Sequence, residues 1–341
     1  MPEDTNLRGE PAAFPGGLVE VGADVWAWIQ PDGGLGEANA GLVRGAGAAA
    51  VIDATWDRHQ ARRMLDAMDP HLAAAPITLA INTHSDGDHW WGNGELPEAT
   101  RIITSEPSLV AIGEEPPPSE LARSARLTGA LSKLPGRPGR LGSYLSRRLA
   151  PFEFAGNDPR PPGESFSGRR TEHVGGRALE LIEVGPAHTA GDLIVNVADA
   201  SVCFAADVLF VGVTPIMWHG PALNWVEATR TLLGLEAGVY VPGHGPPSGR
   251  AAVEAMRDYF VWVDALGAHH HATGTPAFEA TVAMLSSDAA EPFRRWSDPE
   301  RLLVTMTTEL RRRDGREPLR PNLVNRTRLF DGMAALARRF A

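Results

Sequence analysis

Short apolar runs separated by turn residues follow a polar start of seventeen residues. The runs cover residues 18–21, 25–30, 40–43 and 48–53, and segments rich in Gly and Pro divide them. This pattern is typical of antiparallel strands joined by tight turns, so it predicts a β-meander. Residues 1–17 are polar and rich in Gly and Pro, and we expect them to form a flexible N-terminal arm.

The spacing of apolar residues changes from strand-like to helical after the meander. Apolar residues recur every three or four positions over residues 57–68, which predicts a surface helix. Residues 77–82 form a compact apolar run suited to a buried strand, and a short strand and a short helix are expected at 101–104 and 106–113. These elements continue an alternation of strands and helices.

The composition shifts at residue 114, where consecutive prolines break any helix. Two helices are expected near residues 120–134 and 141–149, and a proline-rich stretch at 158–163 closes the segment. We therefore predict that residues 114–170 form an insertion or lid outside the sheets.

Strand-like runs resume at residues 178–184, 193–197 and 201–205, and a helix at 222–235 precedes a last strand at 239–241. This order predicts helices packed outside two mixed sheets, a layered α/β architecture.

The chain is nearly all helical in pattern from residue 250 onward, with breaks near 274–276, 297–299 and 318–321. Asp298 and Pro299 suit the N-cap and first turn of a helix running to about Arg313. We expect a catalytic domain at residues 18–248 and a helical C-terminal extension at 249–341.

Composition and charge narrow the possible partners. The net charge of −10 argues against a protein that binds nucleic acid by neutralising phosphates. A segment at residues 121–170 nevertheless holds ten basic and three acidic residues, and this predicts either a lobe that attracts an anionic partner or a solvated helical surface. The single cysteine, Cys203, forms no internal disulfide and fits a reducing, cytoplasmic setting. The start lacks the features of a signal peptide, and we expect no membrane partner.

Four metal-ligand side chains lie within six residues directly after the apolar run at 77–82. They are His84, Asp86, Asp88 and His89. Side chains at the end of a buried strand sit on a rigid scaffold and face an open cleft. Imidazole and carboxylate groups are good ligands for divalent zinc, iron or manganese. Gly87 is expected to let the loop turn tightly enough for these side chains to converge.

Three further candidate ligands each follow a later apolar run. They are His188, Asp207 and His244. A single His or Asp at a strand end is commonly a hydrogen-bonded structural residue, but seven in this arrangement indicate a metal site.

At these positions the sequence resembles the metallo-β-lactamase superfamily. The first motif of that family is His-x-His-x-Asp-His after a strand, followed downstream by His, Asp and His, and the resemblance covers about residues 18–248. It implies a four-layer αββα sandwich, here with a helical insertion and a helical C-terminal extension, and a site with two divalent metal ions at one edge of the sheets. By this resemblance, the first metal is held by His84, Asp86 and His188, the second by Asp88, His89 and His244, and both by Asp207.

Position 86 departs from the family motif, because it carries Asp where the motif has His. The extra carboxylate makes the first site harder and more anionic, which favours iron or manganese more than the common motif does. The alternative is that Asp86 is only a shorter ligand to zinc, and zinc is the metal that we favour.

The predicted reaction is hydrolysis by a hydroxide that bridges two metal ions. The substrate class is an ester, lactone, thioester, amide or activated aryl ether of a small hydrophobic molecule. Asp88 is the candidate for orienting the nucleophile and relaying its proton. The substrate-binding candidates are Trp90, Trp218 and His219, since aromatic side chains near a metal cleft suit a flat or apolar molecule.

Two other classes of function stay open at this point. One is a diiron oxygenase or reductase that uses the carboxylate-rich site. The other is a non-catalytic binding or assembly subunit that has kept the fold. In either class, the insertion and the C-terminal helices are candidate surfaces for a homo- or hetero-oligomer.

Overall fold

A seven-stranded sheet forms the first half of the fold in a computed structural model that describes residues 5–319 and 323–340. Its strands lie side by side in chain order: β1 (Gly17–Gly22), β2 (Val25–Ile29), β3 (Ala40–Gly45), β4 (Ala48–Ile52), β5 (Ile77–Ile81), β6 (Arg101–Ser105) and β7 (Glu164–Phe166). Strands β1 to β4 pair antiparallel and strands β4 to β7 pair parallel. The predicted meander is confirmed.

A five-stranded sheet forms the second half, in the order β12-β11-β10-β9-β8. Its strands are β8 (Arg169–Val174), β9 (Arg177–Glu183), β10 (Leu193–Val197), β11 (Val202–Phe210) and β12 (Val239–His244). Strands β8 to β11 are antiparallel, while β11 and β12 run parallel. The carboxyl ends of β11 and β12 therefore meet at one edge.

Helices cover the sheets and fill the insertion and the C-terminal segment. They are α1 (Arg58–Leu72), α2 (Gly87–Trp90), α3 (Glu106–Ile112), α4 (Pro118–Leu131), α5 (Gly136–Leu149), α6 (Ala222–Gly234), α7 (Arg250–Ala272), α8 (Ala277–Ser286), α9 (Leu302–Arg313) and α10 (Leu323–Phe340). Within the described ranges, none of the helices is long and apolar enough to cross a bilayer.

Side chains of the strands alternate between an inner and an outer core. On β4, Ile52 lies in the core between the two sheets, whereas Val51 packs with Met64 of α1 on the outer side. On β11, Phe204 joins the same inner core, whereas Cys203 belongs to the outer core formed with α6 and α7. The layers are helix, sheet, sheet and helix, so the αββα sandwich is confirmed.

The prediction that residues 114–170 lie outside the sheets is wrong at the end of the segment. Residues 164–166 form β7, which pairs with β6, and β8 begins at Arg169. Neither strand has an apolar run: β7 has only three residues, and β8 is an edge strand in which three of six residues are charged. The two helices expected in this segment are present as α4 and α5.

The helix after the break near residue 298 begins later than expected. Asp298 has a left-handed backbone, with φ of 53°, and its side chain caps no backbone N–H. A 3-10 turn at Pro299–Arg301 precedes α9. The Asp298 carboxylate instead accepts a hydrogen bond from Arg148 of α5 and pairs with Arg301. The last expected break, at 318–321, falls partly outside the described residues.

The described part of the predicted N-terminal arm makes specific contacts with the body of the chain. Asn6 is buried and donates to Asp32 at 2.6 Å. Arg8 pairs with Asp32 at 2.9 Å and with Glu37 at 3.1 Å. These bonds tie residues 6–8 to the loop between β2 and β3. Residues 1–4 of the predicted arm lie outside the described residues.

Candidate metal centre

The first group of candidate ligands follows β5 and enters the one-turn helix α2. His84 and His89 are fully buried, and Asp86 stands at the N-cap position of α2. Gly87 is the first residue of this helix and has a helical backbone conformation. It therefore does not form the tight turn that the sequence suggested. A Cβ at position 87 would lie 2.6 Å from Trp91, and the close packing against that ring therefore requires glycine.

Asp207 lies at the centre of the site. Its Oδ1 is 3.1 Å from His89 Nε2, and its Oδ2 is 3.3 Å from His188 Nε2 and 3.5 Å from His244 Nε2. His84 Nε2 lies 4.0 Å from the same Oδ2. One carboxylate thus faces four imidazoles, which is the position that a ligand shared by two metal ions would occupy.

The loop that carries His188 is organised by a buried carboxylate. Asp192 accepts hydrogen bonds from the backbone N–H of Ala187 and from the N–H and hydroxyl of Thr189. The Ser108 hydroxyl at the start of α3 donates to Gly191 at 2.8 Å. The ring of His188 is fixed by its Nδ1, which lies 2.7 Å from the carbonyl oxygen of Ile216, and its Nε2 faces the site.

His244 ends β12 and is positioned by contacts with the opposite sheet. The side-chain amide of Asn39 donates to the carbonyl oxygens of Pro242 and Gly245. The imidazole of His244 stacks on Phe210, with ring centroids 5.1 Å apart and planes inclined by 4°. At Gly243, a Cβ would lie 1.8 Å from Asp207 Oδ1, so glycine is needed for the two strand ends to approach.

His89 is held from behind by Asp53, at the end of β4. Its Nδ1 lies 2.8 Å from Asp53 Oδ2, while Asp53 also accepts hydrogen bonds from the N–H and hydroxyl of Thr83. A carboxylate behind a ligating imidazole fixes the tautomer and the ring orientation. The contact leaves His89 Nε2 free to point at Asp207.

The ligand atoms form two groups. One group is His84, His188 and Asp207, and the other is Asp88, His89 and His244; within each group one ligand atom per residue lies within 4.8 Å of the others. Two donors bound to one zinc ion at about 2.0–2.1 Å in tetrahedral geometry stand about 3.3–3.4 Å apart. The measured separations of 3.1 to 4.0 Å around Asp207 fit such ions.

Unpartnered polar atoms support this fit. Among the described residues, the buried atoms His84 Nε2, His89 Nε2 and Asp207 Oδ1 form no hydrogen bond. Leaving buried polar atoms unpaired is costly, and each such atom in a folded protein calls for an explanation. All three atoms point to the middle of the same cluster, so divalent cations would satisfy them together.

The ionisation of the cluster is governed by burial and by the close contact of carboxylates with imidazoles. Burial opposes ionisation of Asp207, but the imidazoles of His244, His89 and His188 hold its pKa well below the usual range. Burial alone would lower the pKa of His188, yet Asp207 and Asp86 raise it to about 9. Burial and the neighbouring His89 keep the pKa of His84 well below normal. Protons on some of the imidazoles thus balance the carboxylates, and a metal ion would displace them.

The two remaining carboxylates of the first motif sit at the open side of the cluster. Asp86 Oδ2 lies 3.1 Å from His188 Nε2, and hydrogen bonding to that ring lowers the pKa of Asp86 to about 2 despite burial. Asp88 Oδ2 lies 3.6 Å from His244 Nε2, and burial raises the pKa of Asp88. The side chains of Asp86 and Asp88 are 27% and 14% exposed, more than Asp207 at 4%.

The substrate-binding candidates differ in their surroundings. Trp90 is buried among Trp56, Trp91 and Phe152, and its indole N–H donates to the carbonyl oxygen of Ser85. That burial leaves a substrate little of its ring to contact. Trp218 and His219 are half-buried, and their backbone N–H groups both donate to the carbonyl oxygen of His188. These two residues therefore lie directly beside a candidate ligand.

Sequence reasoning missed three residues that orient the site. They are Asp53, Asp192 and Asn39. A signal existed for Asp53, because it ends a buried strand that runs parallel to β5, and parallel strands bring their carboxyl ends together. The contacts of Asp192 and Asn39 depend on how loops meet in space, and a single sequence carries no local pattern for them.

The chain is similar in sequence to known proteins over more than half of its length. The sequence model of the metallo-beta-lactamase superfamily matches residues 33–244, more than half of the chain. The alpha subunit of 2,4-dinitroanisole O-demethylase from Nocardioides sp. is 26% identical over 219 residues, which cover 62% of this chain and 53% of that protein. This chain thus spans about half the length of that curated relative.

Solved structures with the same fold include two different kinds of protein. The stereoselective inverting sec-alkylsulfatase from Pseudomonas sp. superposes with a TM-score of 0.66 at 16% identity, covering 91% of this chain and 56% of that one. A metallo-beta-lactamase from Pontibacter korlensis superposes with a TM-score of 0.52 at 16% identity, covering 72% of this chain and 98% of that one. At these identities the likeness concerns the fold alone.

Proposed function

Because the chain belongs to the metallo-β-lactamase superfamily, we propose that it is a binuclear metal-dependent hydrolase whose ligands are His84, Asp86, Asp88, His89, His188, Asp207 and His244. The observation that carries this proposal is the pair of ligand groups that meet at Asp207. The buried atoms His84 Nε2, His89 Nε2 and Asp207 Oδ1 support it, because they have no hydrogen-bond partner among the described residues and a cation would satisfy them.

We propose zinc as the metal, with iron or manganese as the alternative that Asp86 keeps open. Four imidazoles contribute to the cluster, and imidazole suits zinc well, whereas every added carboxylate favours a harder cation. Two bound divalent cations supply Lewis acidity and lower the pKa of a water molecule from 15.7 to about 7. The side chains of this protein would orient the attacking water, accept its proton and bind the substrate.

Asp88 is the proposed residue that orients the attacking water and accepts its proton. It lies at the open side of the cluster, with its side chain 14% exposed against 4% for Asp207, so a water molecule can reach its carboxylate more readily. Trp218 and His219 are proposed to contact the substrate, because their loop is bonded to His188. Burial and the charge of Arg312 lower the pKa of His219, so a neutral imidazole would face the substrate.

For the substrate, we propose a small hydrophobic molecule with a bond that has a good leaving group, which includes esters, lactones, thioesters, amides and activated aryl ethers. The aryl ether is the first to test, since the relative from Nocardioides is named for the O-demethylation of 2,4-dinitroanisole. Because that relative is one subunit of an enzyme, we also propose that this chain assembles with itself or a partner through α4, α5 or the C-terminal helices.

A redox enzyme is the second candidate, and Asp86 is the observation that favours it. Its carboxylate contacts His188 at 3.1 Å, so the first ligand group gains an additional hard donor suited to iron. Demethylation of an ether can also be oxidative: dioxygen and two electrons from a reductant yield the phenol, formaldehyde and water, whereas hydrolysis yields the phenol and methanol.

The test combines metal analysis with product analysis. The purified protein is analysed for zinc, iron and manganese, and 2,4-dinitroanisole is then offered with and without dioxygen. About two zinc ions per chain, with methanol formed at the same rate in both atmospheres, is the result we expect. Iron together with formaldehyde that forms only under dioxygen would establish the redox candidate instead. A full metal complement with no turnover of any ester, thioester or ether would overturn the proposed hydrolase activity.

A further inference from the structure

The segment that leads from α3 into α4 places a buried carboxylate near the metal centre. Glu115 is 17% exposed, and both of its carboxylate oxygens lie close to Arg326 of α10, at 3.3 and 3.4 Å from Nη2. The start of α3 is bonded to Gly191, beside His188, through the Ser108 hydroxyl. Glu115 therefore follows an element that is anchored to the ligand loop.

The face of α10 that bears Arg326 also carries apolar residues that pack in the same cluster as Trp218. Arg326, Leu329, Phe330 and Met333 follow one another at helical spacing and share one face of α10. Leu329 and Phe330 pack in the apolar cluster that contains Met333 and Trp218. The backbone N–H of Trp218 donates to the carbonyl oxygen of His188 at 2.9 Å. The ion pair with Glu115 and the cluster shared with Trp218 thus place this helix face beside segments that are bonded to the loop of His188.

Electrostatic coupling agrees with that placement. Burial raises the pKa of Glu115, Arg326 acts in the opposite direction, and the negative charges of Asp86 and Asp88 act with burial, so that the pKa is about 7. The Arg326 side chain is 34% exposed, so it is open to a molecule that enters from solvent. Two divalent cations would more than offset the charge of the three carboxylates of the candidate centre, so an anion that approaches Arg326 would meet no net negative charge there.

We propose that Arg326 is a specificity-determining residue that binds an oxyanion group of the substrate, and that Glu115 is the partner of its guanidinium until the anion arrives. The shared chemistry of the ligand is a pair of oxygens that share a negative charge, as in a sulfonate, a sulfate ester or a carboxylate, which a guanidinium binds through two N–H groups. This inference rests on the proposed function, because it gives the substrate class of that same cleft.

The effect of Glu115→Gln distinguishes a substrate-binding Arg326 from a purely structural ion pair. If the pair only fastens α10 to the insertion, removal of either partner loosens the cleft and weakens any ligand. If Arg326 binds substrate, Glu115 competes with the anion for the same guanidinium. Glu115→Gln would then strengthen anion binding while Arg326→Gln abolishes it.

The experiment measures binding by calorimetry on the metal-loaded full chain. The probe is 4-nitrobenzenesulfonate, and 4-nitrophenyl methyl sulfone is its neutral counterpart. Arg328→Gln is the matched control, since Arg328 is exposed two residues away on the same helix. We expect the sulfonate to bind at least tenfold more weakly to R326Q, more tightly to E115Q and unchanged to R328Q, with the neutral sulfone insensitive to all three. Arg326→Lys keeps the charge but loses the planar pair of donors, and it should give an intermediate affinity even if R326Q is unstable.

Three results would overturn the proposal. They are equal sulfonate affinity in R326K and the unsubstituted protein, parallel losses in E115Q and R326Q, and a sulfonate that binds no more tightly than the sulfone. None of these results depends on turnover. A chain that binds two cations and the sulfonate but hydrolyses nothing would therefore overturn the hydrolase function and leave the anion site standing.

Discussion

At the scale of the residue, Asp88 differs from the other carboxylates of the metal centre. The pKa values of Asp207 and Asp86 are lowered, whereas burial raises that of Asp88. A carboxylate that must accept a proton and release it again needs a pKa nearer to the working pH than a permanently ionised ligand does. The position of Asp88 at the open side of the cluster therefore suits proton transfer, and the central, buried position of Asp207 suits charge balance.

We predict that Asp88→Asn lowers kcat by roughly 10²- to 10⁴-fold, because the amide cannot accept the proton of the attacking water. The His84, His188 and Asp207 group is untouched by this change, so at least one cation per chain should remain bound. Steady-state kinetics and metal analysis of the same sample check both statements. An unchanged kcat at full metal content would remove Asp88 from the reaction.

Glu115 gives a pH dependence that can be measured without turnover. Its pKa is raised from 4.5 to about 7, so the folded chain holds this proton more tightly than the unfolded chain does. The stabilisation is complete below pH 4.5 and is lost as the pH rises through 7. We compare the free energy of unfolding of the metal-free Glu115→Gln variant with that of the metal-free unsubstituted chain. This difference should rise in favour of the variant by up to about 3 kcal/mol between pH 5 and pH 8. Denaturant unfolding at both pH values measures it, and a constant difference would contradict the shift.

The sequence predicts residues best where a local pattern carries the information. The ligands His84 to His89 could be found because their residue types follow a buried apolar run, and the structure brings all seven candidates to one place. Asp53 and Asn39 were missed because their roles come from the meeting of strand ends and loops far apart in the chain. The burial of Trp90 was missed because an aromatic beside a motif looks the same in a core and in a pocket.

At the scale of the element, α5 is fastened to the C-terminal segment by a largely buried network. Arg148 lies 2.6 Å from Glu300 and 2.8 Å from Asp298, and the Tyr144 hydroxyl donates to Glu300 at 2.8 Å. Glu300 is only 3% exposed, so its charge depends on these partners. The insertion was predicted as helices from their spacing, but its attachment to residues 298–300 has no counterpart in local sequence.

We expect Arg148→Ala to lower the free energy of unfolding by about 3–5 kcal/mol, because it leaves a buried carboxylate without its cation. Arg147→Ala is the matched control: Arg147 is the adjacent residue of α5 and pairs only with the exposed Glu10 in the described ranges, so the melting temperature should hardly change. Thermal melts of both variants make the comparison. Equal effects would mean that the network does not hold α5 in place.

At the scale of the whole molecule, each ligand group draws on both sheets. His84 follows β5 of the first sheet, whereas His188 and Asp207 belong to the second; Asp88 and His89 likewise meet His244 across the sandwich. Bound cations would link the two halves at one edge. Two basic residues of the segment at 121–170 also form ion pairs with the C-terminal segment, Arg140 with Asp331 and Arg148 with Glu300.

Removal of the metal ions should therefore destabilise the entire fold. A ligand present at one hundred times its dissociation constant stabilises a protein by about 2.7 kcal/mol, and we expect a loss of at least that size on chelation. Differential scanning calorimetry before and after chelation measures the change. Zinc should restore the melting temperature, whereas magnesium should not, because it prefers oxygen ligands. A melting temperature that is unchanged by chelation would contradict the proposed metal centre.

The imidazoles of the centre are held by groups that are not metal ligands: Asp53 behind His89, the carbonyl oxygen of Ile216 behind His188, and the ring of Phe210 beneath His244. Rings fixed in this way lose their rotational entropy when the chain folds, and not when a cation arrives. Binding of an ion would then cost little further conformational entropy. An ion that prefers different bond lengths or angles could not be accommodated by rotation of a ring. Discrimination between metals would thus be set during folding, by residues outside the proposed ligand set.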